Sequence, residues 1–141
     1  MRAVIVGYSR SPFTRAHKGK LADIRPDDLA AQVAKNLVIK SGIKPSLFDD
    51  LVLGCAYPEG EQGFNLGRII AHLSGLPDSV SGVTINRLCG SSMDAVHHAV
   101  GSISRLAGDC FLCGGVESMS RVKRRGFNWS PNPKLINEYP E

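Results

Sequence analysis

The sequence predicts an α/β fold: a mostly parallel sheet covered by helices on both faces. Short apolar runs of strand length alternate with longer stretches of helical period, in the order β-α-β-α-β-α-β. The runs are nearly continuous in apolar residues, the pattern of strands buried on both faces. The segments joining them are long enough for right-handed helical crossovers.

A first strand is expected over residues 2–7, where Ala3-Val-Ile-Val6 leads to Gly7. Residues 8–26 are punctuated by Pro12, Gly19 and Pro26. A connection that long is often functional or packs over a neighbouring site. Pro26-Asp27-Asp28 then opens a helix with acidic residues at the positive end of its dipole. Leu29, Val33 and Leu37 recur every fourth residue to give one apolar face, and Ser41-Gly42 closes the helix.

A second strand is expected at 51–55. Beyond the Gly-rich stretch 58–63, Asn65 caps a helix running to Leu73, ended by Gly75 and Pro77. The third strand is expected at 82–86, a third helix from about Cys89 to Leu106, and a fourth strand at 109–113, stopped by Gly114-Gly115. From Ser120 the composition turns basic and rich in Asn and Pro, the character of a loop excursion.

Composition fits a soluble globular chain: 43% hydrophobic and 21% charged, with 141 residues giving room for one core. No apolar run reaches membrane-spanning length and no secretory signal precedes the first strand, so a cytoplasmic location is expected. The net charge of +4 invites a nucleic-acid hypothesis. Much of the excess sits in Arg121, Lys123, Arg124 and Arg125 and recurs in no helical stripe, so a solvated loop is preferred. An anionic, phosphate-bearing ligand comes next, and no nucleic-acid partner is expected.

The four cysteines, at 55, 89, 110 and 113, are expected as reduced thiols. Cys110 and Cys113 have the spacing of a metal or redox pair, but three positions apart in a strand they point to opposite faces. No second pair completes a zinc site, so no metal is expected.

The chemistry concentrates at residues 83–95. A strand ends at Asn86, a tight turn follows, and Cys89 falls at the start of a helix, where unpaired N–H groups and the dipole favour a thiolate. Gly90, Ser91 and Ser92 leave space for a bulky substrate, and the Cys89 backbone N–H is a candidate oxyanion donor. The turn lies at the carboxyl ends of the strands, where open α/β sheets bind ligands. On this context alone a buried structural cysteine remains an equal alternative.

Asn86-Arg-Leu-Cys89-Gly-Ser-Ser-Met93 resembles the nucleophile signature of thiolases, and Gly114-Gly-Val-Glu-Ser-Met-Ser120 resembles the second signature of that family. Ser9-Arg-Ser-Pro-Phe13 and Glu61-Gln-Gly-Phe-Asn-Leu-Gly-Arg68 are weaker matches. With Arg87 and Ser92, the latter leans toward the 3-ketoacyl-CoA thiolases of fatty-acid oxidation. Ketoacyl synthases, which also place a cysteine at a helix start, lack this Asn-Arg-Leu lead and rank second.

The resemblance implies an acyl-CoA C-acyltransferase in which Cys89 is the catalytic, acylated residue. Coenzyme A and acyl-CoA would be its substrates, with no bound cofactor, and the assembly a dimer or tetramer. It further implies that residues 1–119 form the amino-terminal α/β domain without its last strand, leaving one sheet edge open, and that 120–141 begin a loop domain. The histidines, second cysteine and oxyanion asparagine of the family lie in motifs such as Gly-His-Pro and Cys-x-Gly-Gly-Gly, absent from these 141 residues. The chain alone is therefore expected to be inactive, one half of a composite site, or else an inert dimerising module. His97 and His98 lie about 12–13 Å along the helix from Cys89 at 1.5 Å per residue, too far for a general base, and are expected to pack. His17 and His72 carry no motif. Glu117 is expected to order the turn after the fourth strand.

Overall fold

A computed structural model describes residues 2–139; the outer ends of the two expected segments, residue 1 and residues 140–141, lie outside them. Helix α1 (Pro26–Ser41) is followed by strand β1 (Asp50–Gly54), helix α2 (Leu66–Leu73), strand β2 (Ser81–Ile85), helix α3 (Ser91–Ser104), strand β3 (Phe111–Gly115) and a short helix α4 (Pro133–Glu138).

The strands form one parallel sheet in the order β2-β1-β3, with Val52 of the central strand opposite Val83 on one side and Cys113 on the other. The chain steps from β1 to β2 in one direction and from β2 across β1 to β3 in the other. Right-handed crossovers therefore put α2 and α3 on opposite faces.

Side-chain parity agrees. Leu51, Leu53 and Cys55 point into a cluster with Ala31 and Val38 of α1 and Leu66, Ile70 and Ala71 of α2, all nearly or wholly buried. Gly54, on the opposite parity, meets α3: a Cβ there would stand 2.5 Å from the Ser92 nitrogen. Gly115 of β3 does the same, since its Cβ would overlap the Ser92 hydroxyl. These glycines lie inside the strands and let the start of α3 press against the strand ends. Gly114-Gly115 are part of β3 and do not stop it.

Local signals set the helix ends. Pro26 and two aspartates start α1, and Gly42 at φ 69 closes it through its N–H to the Ile39 carbonyl. The Asn65 side chain caps α2 by accepting from the Arg68 N–H. The basic tail contains a helix that its loop-like composition hides. Asn132 accepts from the Lys134 N–H and Pro133 takes the first helical position, the same start signals as elsewhere in the chain.

The expected first strand does not form. Residues 2–15 have no regular secondary structure, and Val4, Ile5 and Val6 are 72–81% exposed. Apolar sequence suffices for extended backbone, but a strand also needs a ladder partner about 4.8 Å away. Between this segment and β3 lies a groove of about 730 Å³, lined by Val4, Val6, Leu37, Ala99, Phe111 and Leu112. The outer edge of β3 accordingly has no paired strand among the described residues.

Candidate functional site

The carboxyl ends of the three strands converge on one turn, residues 86–90. Helix α3 begins at Ser91 with Gly90 as its N-cap, so Cys89 sits one residue ahead of the cap and outside the first helical turn where the sequence places it. The reason is local. The Gly90 and Ser91 N–H groups close the turn onto the Arg87 and Leu88 carbonyls, each at 3.0 Å. The Ser91 hydroxyl donates to the Leu88 carbonyl at 2.6 Å and accepts from the Arg87 N–H at 2.9 Å.

This winding forces Leu88 to φ 48, a left-handed conformation costly for a side chain of its size. Cys89 itself is exposed, unlike the buried Cys55. Arg87 is anchored to Asp94 of α3 at 3.1 Å.

A second layer of hydrogen bonds ties the turn to the other strand ends. Asn86 donates to the Ala56 carbonyl at 3.0 Å and accepts from the Leu88 N–H at 2.8 Å. The Ala56 N–H donates to Glu117 at 2.7 Å. Gln62, fully buried, donates to the other Glu117 oxygen at 2.5 Å and to the Tyr57 carbonyl at 2.8 Å, and accepts from the Ser118 N–H at 2.6 Å. Glu117 therefore orders the turn after β3. Gln62 lies in the weaker family match 61–68, but nothing local in the sequence indicates that it is buried against Glu117.

The other thiols are held in their protonated form. Burial, with the nearby Glu117 charge second, pushes Cys55 up to about 12. Burial and then Asp50 push Cys113 up to about 11, and burial and then Asp49 raise Cys110. Cys113 lies against the Ala95 carbonyl of α3 while Cys110 packs on the α1–α2 cluster, opposite faces as their spacing requires.

His97 and His98 are exposed on α3, where Ala95 and Ala99 take the inward positions, so the packing role expected for them is not found. His72 instead faces Asp78 at 3.4 Å, and the His17 N–H donates to Ser120.

The basic cluster is not a free cationic patch. Arg121 makes a bidentate pair with Glu61, which also receives Arg25 at 3.2 Å, and Arg25 grips the buried Asp27 at 2.6 Å. The hydrogen bond from Arg121 holds the Glu61 carboxyl below its usual range. Arg125 stacks over Trp129 at 4.8 Å and Lys123 over Phe127 at 5.8 Å. Arg121 thereby ties the tail to Glu61 and to the Asp23 carbonyl of the 8–26 loop, while the stacked Lys123 and Arg125 lie on aromatic rings of the tail itself. No helix among the described residues is long and apolar enough to cross a membrane.

Comparisons with known proteins converge on one family. The family "Thiolase, N-terminal domain" matches residues 3–137. The 3-ketoacyl-CoA thiolase of Bacillus subtilis (strain 168) is 43% identical over 139 residues, 99% of this chain and 36% of that protein. The 3-ketoacyl-CoA thiolase of Saccharophagus degradans is 42% identical, over 94% of this chain and 34% of its own length. The crystal structure of the Bacillus anthracis acetyl-CoA acetyltransferase superposes with a TM-score of 0.78 at 29% identity, covering 94% of this chain and 35% of that one. The chain thus spans about a third of the relatives it matches. Match, identity and superposition agree with the motifs around Cys89, and the chain belongs to the thiolase family.

Proposed function

We propose that this chain carries the nucleophilic half of an acyl-CoA C-acyltransferase site, with Cys89 as the residue acylated. The observation that supports it best is the exposed Cys89 in a strained turn directly before α3, at the carboxyl ends of three parallel strands.

In the degradative direction, the Cys89 thiolate attacks the keto carbon of a 3-ketoacyl-CoA. The adjacent carbon–carbon bond breaks, its electron pair stays on the departing fragment, and protonation of that fragment gives acetyl-CoA. A second coenzyme A thiolate then attacks the Cys89 thioester and leaves as the shortened acyl-CoA, returning the free thiolate. Dividing the cleavage into two thioester steps lowers each barrier. The biosynthetic condensation is the reverse.

Gly90 and the small residues beside it leave room for the acyl group, and the Cys89 N–H is the oxyanion donor we assign from this chain. The base and proton donor are assigned to sequence corresponding to the remaining two-thirds of the relatives. On this reading the chain alone does not turn over, the assembly is a homo-oligomer or a complex with that complementary half, and the free thiols fit the cytoplasm.

Incubation with acetyl-CoA followed by intact-mass and peptide analysis tests this. An adduct of about 42 Da, one acetyl group on a cysteine thiolate, is expected on Cys89. No adduct under excess donor, and no thiolysis of acetoacetyl-CoA when the complementary half is added, overturns it. A non-catalytic, dimerising module is the second reading. It is favoured by the sheet edges, unpaired among the described residues, and by Phe64, Leu88 and Met93, all at least 60% exposed.

A further inference from the structure

The backbone of Ala56 is gripped on both sides, through its two flanking peptide units, by residues on two different strand ends. Its N–H donates to Glu117 just beyond β3, and its carbonyl accepts from Asn86 just beyond β2. Asn86 continues the chain of bonds to the Leu88 N–H, and Leu88 is the strained residue that directly precedes Cys89.

Behind Glu117, the buried Gln62 has its orientation decided by two backbone partners. The Ser118 N–H requires the amide oxygen on one side, and the Tyr57 carbonyl requires the amide nitrogen on the other. The nitrogen that remains aimed at Glu117 must be met by an acceptor. Both Glu117 oxygens therefore accept, which suits a carboxylate and not an amide.

We propose that Glu117 is a positioning residue for Cys89, acting through Ala56 and Asn86 and held in place by Gln62. This rests on the reading of Cys89 as the nucleophile. Glu117 touches neither Cys89 nor, in this role, the substrate. With Ala56 held on one side by Glu117 and on the other by Asn86, its placement is passed to the turn, and small displacements of a reacting group are costly in rate.

The test is the rate of Cys89 alkylation by iodoacetamide as a function of pH, followed by peptide mass mapping beside thermal unfolding. Glu117→Gln sets a donor against the Gln62 donor and is expected to slow Cys89 alkylation at neutral pH by about fivefold, the worth of one hydrogen bond. Asn86→Ala, at an exposed position that tolerates truncation, is expected to give a similar slowing. The double variant should be no slower than the slower single one, because both act through the same residue, Ala56. Asp49→Asn, at the opposite end of the strands, should lower the unfolding midpoint while leaving the Cys89 profile unchanged.

The proposal is overturned if Glu117→Gln and Asn86→Ala shift the unfolding midpoint but leave the Cys89 rate and pH profile as in the parent chain. Purely additive slowing in the double variant overturns it as well. Alkylation uses no acyl donor. Coupled slowing in a chain that acetyl-CoA never acylates would therefore sustain the positioning role and remove only the acyl-transfer reading.

Discussion

Two apolar stretches of nearly the same composition have opposite fates in this molecule. Leu51-Val52-Leu53 lies in the central strand at 0–3% exposure, paired on both sides and covered on both faces. Val4-Ile5-Val6 is 72–81% exposed and belongs to no strand. Propensity and hydrophobicity favour a strand in both places, so neither separates them. What differs is the neighbour: β1 has β2 and β3 at bonding distance, whereas the groove of about 730 Å³ lies between residues 2–8 and β3. Burial, and with it most of the stabilisation, follows pairing.

The contrast is most simply broken by truncation. Leu51→Ala should destabilise by about 2–5 kcal/mol, whereas Ile5→Ala should stay within about 0.5 kcal/mol, both read from urea unfolding. A comparable loss at Ile5 would mean that the first segment is buried in solution and the contrast false.

The next largest effect concerns how the central strand meets α3. Gly54→Ala forces a methyl against the backbone of Ser91 and Ser92 and should cost about 1–3 kcal/mol. It should also alter Cys89 alkylation, because the same helix start carries the turn. Gly101→Ala, where a Cβ meets nothing within 4 Å, should be neutral or slightly stabilising by the helix propensity of alanine.

A smaller effect is expected at the amino ends of the strands. Asp49 accepts from the Asp109 and Cys110 N–H groups at 2.7 and 3.0 Å, and the Cys110 and then Asp109 bonds hold its carboxyl below the ordinary 3.8. A depressed folded-state value contributes stability above 3.8 that is lost as pH falls through the folded value. Asp49→Ala should cost about 1 kcal/mol at neutral pH, with the difference from the parent shrinking in acid.

Asp50, one residue on, has the opposite sign. Burial raises its carboxyl above 3.8, opposed first by the hydrogen bond from the Leu51 N–H and then by His98, and its Oδ1 lacks a hydrogen-bond partner among the described residues. A raised carboxyl is best tolerated when protonated: its contribution is present below 3.8 and lost as pH rises through the folded value. Asp50→Asn should therefore stabilise at neutral pH by about 0.5 kcal/mol and lose that advantage in acid, measured by thermal unfolding across the pH range. A loss at neutral pH would mean that the ionised carboxylate has a stabilising partner in solution.

Much of the fold was legible in the sequence because its signals are local. Helix α1 begins at Pro26 and ends against Gly42, and Asn65 caps α2, since each boundary needs only a few neighbouring residues. The α4 helix is not legible although Asn132-Pro133 carries the same signal, because it is only six residues long and sits in basic, Asn-rich sequence. The motif around Cys89 was legible for the same local reason. The site's support was not: Gln62 and Ala56, which follow β1, meet Glu117, which follows β3, only when two strand ends are brought together, across 55 to 61 residues of sequence.

The sequence by itself determined the alternation of helices and strands from α1 to β3, the parallel α/β class, Cys89 as the candidate nucleophile and membership of the thiolase family. These depend on side-chain period, capping and short motifs, all encoded within a few residues. Only the tertiary structure decided that residues 2–7 stand outside the sheet and that Cys89 lies ahead of α3 and not within it. It alone decided that His97 and His98 face solvent and that Arg121 is matched by Glu61. Each of these depends on a partner distant in the chain, and pairing, burial and charge compensation belong to neighbours in space.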